Sequence, residues 1–497
     1  MEKYLLGIDI GTSACKVAVF SYDGQVICSE NSPYKVYYSH EGWAEQNPTE
    51  WWNAICLSIH HIWEKSNVTP SDIAGIGIDG QGWSAIALDH SGEVLCNTPI
   101  WMDTRAADIA EELKDKIGED KIFEVCGNPI QPSYTLPKII WYKRNVPQVY
   151  KKISKILISN GYIGFKLTGQ ITQDICQAYG YQCFDMHRGV WDKELCKEMG
   201  VDPDFLPDIY PCHHVIGGVT AEAAQITGFL EGTPVIAGGL DAACGTLGAG
   251  VVSDGQTQEQ GGQAGGMSIC SGKYSSDIRL ILSYHVVPNK WLIQGGTVGG
   301  GGVMKWFEQE FGGEERSHGN SFKLLDEEAE AVNPGSDGVV FLPYMSGERT
   351  PIWNRKAKGV YYGLDYAKTK GHFVRASLEG VAYALRHNLE VAENAGAYVN
   401  ELYAIGGAAN SMIWTQIKAD VTGKTIKVPF SDMASTLGAA ILAGVGVGVY
   451  SSFEEAVNKT VKITRVHVPN KNNFSVYDKQ YEKYLKIYDR LKDLMDK

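Results

Sequence analysis

Pro234-Val-Ile-Ala-Gly-Gly-Leu-Asp-Ala-Ala-Cys-Gly-Thr-Leu-Gly-Ala-Gly250 lies near the middle of the chain. Its apolar start, Pro234 to Ala237, reads as a buried strand, and two glycines then carry Asp241 out at the strand tip. The acid opens a helix. From Ala242 to Gly250 no side chain is larger than leucine, so another backbone or a ligand phosphate can come close. An aspartate there has an ordinary use as a helix N-cap, worth about 1 kcal/mol. It also has a chemical use, as a carboxylate poised in a cleft. The rest of the chain has to decide between them.

At 497 residues and 44% hydrophobic, the chain is long enough for two or three domains. A net charge of -13 argues against a nucleic-acid partner and against an anionic membrane, both of which need a basic surface. The opening Met1-Glu-Lys-Tyr-Leu-Leu-Gly-Ile has too short an apolar run for a signal peptide, which places the protein in the cytoplasm. The 11 cysteines show no Cys-x-x-Cys pair and read as reduced, mostly buried thiols. Acidic charge and many aromatic residues permit a homodimer without demanding one.

Upstream, the pattern predicts strands over Tyr4–Ile10, Cys15–Phe20 and Gln25–Ser29, with Tyr22-Asp-Gly24 as a hairpin signal. The first turn, Asp9-Ile-Gly-Thr-Ser-Ala14, offers a glycine and two hydroxyls to an anion, and Asp9 can hold a metal through water. A tight polar hairpin would look the same. Asn47-Pro48 starts a helix whose apolar face is Trp51, Ile55, Ile59 and Ile62. A strand over Ile73–Ile78 ends in Asp79-Gly-Gln-Gly-Trp-Ser84, the kind of strand end where α/β proteins place ligands. Asp103 and Arg105 read as an exposed ion pair or as donors and acceptors to the hydroxyls of a polyol.

Downstream, a second half opens after Gly250. Its Gly261-Gly-Gln-Ala-Gly-Gly-Met-Ser-Ile-Cys270 echoes the turn after the first strand, which suggests a duplicated domain. The glycines of Gln294–Gly302 precede a helix near Val303 and suit backbone lying against a flat ligand. Ile405-Gly-Gly407 sits between a strand and a helix containing Trp414, Ile417 and Val421, where nucleotide-binding folds hold base and ribose. The last stretch, with Tyr477, Tyr481, Tyr484 and Leu485, reads as an amphipathic helix packed on its own domain.

In order along the chain, Gly7-Ile-Asp-Ile-Gly-Thr12, Pro48-Thr-Glu-Trp-Trp52, Trp101-Met-Asp-Thr-Arg105, Gly238-Gly-Leu-Asp241, Gly347-Glu-Arg-Thr-Pro351 and Gly406-Gly-Ala-Ala-Asn-Ser411 resemble the FGGY carbohydrate kinases. Gly42–Pro48, Gly80-Gln81 and Pro343–Pro351 are most similar to xylulokinases. The resemblance implies an α/β protein of two ribonuclease-H-like domains of the actin/hexokinase superfamily, 1–249 and 250–497, around an interdomain cleft. The first would hold the sugar and the second mainly ATP, with Mg2+. By the same resemblance Asp241 is the base toward the sugar hydroxyl, and Asp9 acts on magnesium-bound phosphates with Gly11, Thr12 and Ser13. Gln81, Gly82, Trp83, Asp103 and Arg105 would line the sugar pocket. Gly262, Gln263, Gly301, Gly302, Gly406, Gly407 and Ser411 would meet the nucleotide.

Two loops depart from the family pattern. Gly80-Gln-Gly-Trp83 stands where xylulokinases usually read Gly-Gln-Met-His, so an indole that only donates replaces an imidazole. Gly262-Gln-Ala-Gly265 stands where Gly-Thr-Ser-Gly is usual. The implied activity is transfer of phosphate from ATP to the primary hydroxyl of a ketopentose, D-xylulose first. The alternatives are another ketose, a polyol or an aldonate, or a regulator that binds sugar or nucleotide without chemistry.

Overall fold

The computed structural model describes residues 3–313, 319–430 and 433–495. The chain opens with an antiparallel ribbon of β1 (Tyr4–Ile10), β2 (Ala14–Phe20) and β3 (Val26–Pro33). Helix α1 (Pro48–Lys65) follows. Its start is fixed by Asn47, whose side chain accepts the Thr49 N–H, and by a proline in the first turn. Trp51, Ile55, Ile59 and Ile62 are buried with Ile8, Val17 and Val19 of the ribbon in one core. β4 (Ile73–Gly80) then runs parallel to β1. After α2 (Thr135–Asn145) come β5 (Val215–Gly218), β6 (Pro234–Ile236) and the two-residue β7 (Gly239–Leu240). The order across the first sheet is β5-β6-β4-β1-β2-β3, with β7 paired to the end of β4.

Asp241 begins α3 (Asp241–Gly248), so it is the first helical residue and Leu240 holds the cap position. The second half repeats the first. β8 (Gln256–Gly261), β9 (Gly265–Ser271), β10 (Ile281–Tyr284) and β11 (Trp291–Thr297) form an antiparallel set. The helices α4 (Gly301–Phe311) and α5 (Lys370–Asn394) intervene before β12 (Glu401–Ile405), which runs parallel to β8. Then α6 (Met412–Thr422), β13 (Thr425–Pro429), α7 (Ala434–Gly446), β14 (Ile463–His467) and α8 (Phe474–Met495) complete the chain. The sheet reads β10-β11-β9-β8-β12-β13-β14, the first sheet's pattern of parallel and antiparallel neighbours with one strand added at an edge, although the outermost antiparallel strand precedes its neighbour in the first half and follows it in the second. The faint sequence echo between the halves is thus a duplicated topology.

The halves are not separate layers, however. Helix α7, from the second half, packs on β1 and β4 of the first sheet and against α3. Glycines make room for it: a Cβ at Gly77 would lie 1.9 Å from the Ala439 carbonyl oxygen, and one at Gly438 would lie 1.9 Å from that of Cys244. The small residues after Asp241 therefore admit a helix backbone rather than a phosphate. A division at 249/250 follows the sheets but cuts this helix pair apart. The cysteines are free, and nine of the 11 are buried. Among the described residues no helix is long and apolar enough to cross a membrane.

Candidate active site

Three acids gather at the carboxyl ends of neighbouring parallel strands. The register of β1 on β4 pairs Gly7 with Gly77, Ile8 with Ile78 and Asp9 with Asp79. β7 pairs Gly239 with Asp79, and Asp241 stands two residues further on. Asp79 is fully buried; no N–H or hydroxyl of a described residue donates to its carboxylate, and its hydrogen-bonding neighbour is the Asp9 carboxyl. Burial first, and then the charges of Asp9 and Asp241, hold its pKa well above the usual carboxylate range. Burial also raises Asp9. Asp241 is pushed up to about 7, mainly by burial and then by Asp9, while its Oδ1 accepts the Ala242 N–H at 2.6 Å. Asp79 was not among the expected site residues. Its signal is the repeat Gly-Ile-Asp at 7–9 and 77–79, which only strand pairing turns into two adjacent carboxyls.

A cavity of about 300 Å³ opens beside Asp241. The first half contributes Gln81, Gly82, Trp83, Trp101 and Tyr179, and the second contributes Gln260, Gln294 and Arg349, so it is shared between the halves. Trp83 sits in the left-handed region at φ 60 and packs against Tyr134, with ring centroids 4.7 Å apart. What fixes this loop is Lys138 of α2. Its buried Nζ donates to the carbonyls of Trp83 (2.9 Å), Ile100 (2.8 Å) and Ser133 (2.6 Å). Burial pushes the Lys138 pKa down to about 7, yet three acceptors match the three donors of an ammonium. Gln81 Nε2 donates to Gln46 Oε1 at 2.7 Å, which leaves Gln81 Oε1 and the Trp83 indole N–H without partners among the described residues. Both residues line the cavity.

Asp103 and Arg105 do not line this cavity, contrary to the sequence expectation. Asp103 accepts the Ala44 N–H at 2.8 Å and is bridged by Arg105, which also reaches Glu45 at 2.8 Å. The guanidinium lies 3.7 Å from the Trp43 ring centroid and 4.9 Å from that of Trp141. The pair is neither exposed nor free for hydroxyls, because distant segments converge on it and use its hydrogen bonds internally. The pair ties the loop that carries Trp101 to Trp43, Ala44 and Glu45. Trp101 in turn lines the cavity and donates through Nε1 to Thr12 Oγ1 at 2.9 Å. The Gly11-Thr12-Ser13 turn lies beside Asp9 at the tip of β1, outside the lining of this cavity.

A second cavity, about 810 Å³, lies on the tip of the second sheet, with Gly262, Gln263, Gly301, Gly407 and Ser411 on its wall. Gly302 and Gly406 stand just behind that wall. The glycines at 300–302 face protein backbone rather than a flat ligand: the Gly301 and Gly302 N–H groups donate to the carbonyls of Gly262 (2.7 Å) and Gln263 (2.9 Å). The first turn of α4 thus clamps the turn that carries Gln263. Gly406 has φ 86, and a Cβ on it would strike Gly261. A short 3-10 turn, Gly407–Asn410, separates it from α6, which Ser411 caps by accepting the Trp414 N–H. Of the ten residues expected on the nucleotide side, five line the cavity, Gly302 and Gly406 support it, and Gly11, Thr12 and Ser13 stand at the tip of β1 instead.

Duplicated sheets joined by crossing helices, with an acid-tipped cleft shared between them and a glycine-walled cavity on the second, define a two-domain α/β phosphotransferase of the actin/hexokinase type. The chain belongs to the FGGY family of carbohydrate kinases: residues 4–248 match the family's N-terminal domain and residues 275–447 its C-terminal domain. It is 31% identical to the xylulose kinase of Bacillus subtilis, over 99% of this chain and 98% of that one. It is also 31% identical to a gluconokinase of Bacillus licheniformis, over 99% of this chain and 96% of that protein. The crystal structure of xylulose kinase from Rhodospirillum rubrum superposes with a TM-score of 0.91 at 29% identity, covering 100% of both chains.

Proposed function

We propose that this carbohydrate kinase transfers the γ-phosphate of ATP to the primary hydroxyl of a ketopentose, D-xylulose by preference. The observation that carries the reading is the placement of Asp241: a half-buried carboxyl, its pKa pushed up to about 7, at the start of α3, in a cavity built by both halves. A base poised near neutral pH accepts the hydroxyl proton as the oxygen attacks phosphorus. The similarity in length and fold to xylulose kinases supports the choice of sugar.

In this reading Gln81 and Trp83 orient the sugar. Their unmet acceptor and donor meet its hydroxyls while the indole covers a C–H face. Residues 1–249 supply the sugar and base side, and 250–497 supply the cavity for ATP at Gly262, Gln263, Gly407 and Ser411. Asp9, beside the Gly11-Thr12-Ser13 turn, fits an oxygen-seeking cation reached through water, since its carboxylate lies at a strand tip next to the Asp79 carboxyl and makes no ion pair with a described residue. Mg2+ bound there with the nucleotide would neutralise phosphate charge. The chain's own part is alignment, exclusion of water and removal of one proton.

The test is coupled ADP release with Mg-ATP against D-xylulose, L-xylulose, the ribuloses, fructose, glycerol and gluconate, with Asp241→Ala as the control. The expected result is an Asp241-dependent signal strongest with D-xylulose. A stronger signal with gluconate would reassign the sugar and keep the kinase. Silence across the panel from folded protein would remove the kinase reading.

A further inference from the structure

The motif Gly347-Glu-Arg-Thr-Pro351 has no part in the reading above, yet its arginine stands in the shared cavity. Both neighbours of Arg349 are pinned, Thr350 to β11 and Glu348 to the residue just after it. Glu348 Oε1 accepts the Val298 N–H (2.7 Å) and the Arg349 N–H (2.8 Å), and Thr350 Oγ1 accepts the Gly296 N–H (2.6 Å). The guanidinium therefore lies over Gly296, where a Cβ would come within 3.0 Å of it. Gly296 pairs with Gly266, the residue just after the Gly262–Gly265 turn. Arg349 thus borders both the end of that turn and the cavity that Asp241 lines.

The guanidinium makes no ion pair or side-chain hydrogen bond with any described residue. Even the adjacent Glu348 leaves its Oε2 buried and unpaired instead of reaching it. Two other arginines are treated differently. Arg105 is gripped by Asp103, Glu45 and two indoles, and Arg375 by Glu379 and the Tyr477 hydroxyl. A half-buried guanidinium on a cavity wall, with no protein acceptor for its donors, is a site waiting for an anion. A ketopentose is neutral, so in a kinase the anion that visits this cavity is the phosphoryl group itself.

We propose that Arg349 binds the phosphoryl group in flight and stabilises its charge in the transition state. This rests on the reading of the protein as a ketopentose kinase. In the step, the bond from the γ-phosphorus to the bridging oxygen of ATP breaks, and ADP leaves with that electron pair. A bond from the sugar oxygen to phosphorus forms, and the hydroxyl proton passes to Asp241. Arg349 takes no proton and forms no bond; it donates hydrogen bonds to the equatorial oxygens.

The test compares wild type with Arg349→Gln and Arg349→Lys in turnover, and in binding of ADP with aluminium fluoride in the presence of D-xylulose. Melting temperatures within a few degrees of wild type verify folding. The expected result is a kcat lower by on the order of 10³-fold in Arg349→Gln, with KM for sugar and ATP little changed and partial rescue by added guanidinium chloride. The aluminium fluoride complex should lose its extra affinity in that variant, and Arg349→Lys should fall between. A kcat within about threefold of wild type, or a loss confined to the KM for sugar, would overturn the role while the kinase stands. A wild type with no turnover would overturn the kinase reading and this role together.

Discussion

Penultimate in β1 stands Asp9; penultimate in β8, at the matching place of the second sheet, stands Gln260. The neighbouring parallel strand ends in Asp79 and Gly80 in the first sheet, and in Ile405 followed by Gly406 and Gly407 in the second. The second sheet does bury an acid nearby, Glu259, but Lys418 Nζ meets it at 2.6 Å and both side chains are hidden from water. In the first sheet no described residue makes an ion pair with Asp9 or Asp79. One scaffold has thus been given two electrostatic ends. Carboxyls buried without a cation are costly but can take a proton or face a cation, whereas the glycine-walled tip, whose cavity carries Lys305 and Lys323 beside Asp326, Glu327 and Glu330, lets backbone come close to phosphates.

The largest effect expected is at the acid that faces the cavity. Asp241→Asn should lower kcat by about 10²- to 10⁴-fold, the usual worth of a general base, while D-xylulose binding measured by calorimetry stays near normal. Retained turnover would make the first-sheet acids structural and erase the contrast. On the second sheet the acid should matter for stability instead. Lys418→Met strands Glu259 without a partner and should cost about 3–5 kcal/mol, read as a fall in the denaturation midpoint. A loss much below that would mean Glu259 is no better neutralised than Asp79.

The pH profile comes next. Asp241 works deprotonated, and its pKa is raised to about 7, so kcat/KM should be full above that pH. It should fall about tenfold per unit as pH drops further below it. That limb should be missing from the residual activity of Asp241→Asn. A profile flat down to pH 5 would show that the burial of Asp241 is relieved in the working enzyme.

The smallest effect, opposite in sign to that of Lys418→Met, concerns Asp79. Its pKa in the fold lies above the unfolded value, so ionisation there is a handicap to the folded state at high pH. Asp79→Asn should therefore raise stability by about 1–3 kcal/mol at neutral and alkaline pH. The gain should shrink as pH falls through the raised pKa and vanish below about 4, where the carboxyl is protonated folded and unfolded alike. A destabilised variant would mean that Asp79 has a partner it needs.

Much of this molecule was legible before folding. The strand Tyr4–Ile10, the helix opened by Asn47-Pro48, the glycine turns and the helix beginning at Asp241 all follow from periodicity and turn chemistry, which act over a few residues. The ordered motifs placed the chain in its family for the same reason. Other features depended on segments far apart in sequence. Asp79 became a site residue when β4 paired with β1 in one register. Arg105 left the expected sugar pocket because Glu45, Asp103, Trp43 and Trp141 close around it. Helix α7 crossed to the first sheet because glycines on both sides allow backbone contact. Arg349 stands without an anion because its loop is pinned over Gly296. The sequence by itself determined the local elements and the chemical groups at their ends. The tertiary structure alone decided which of those groups are buried, paired or left waiting, because desolvation and partnership are set by neighbours in space.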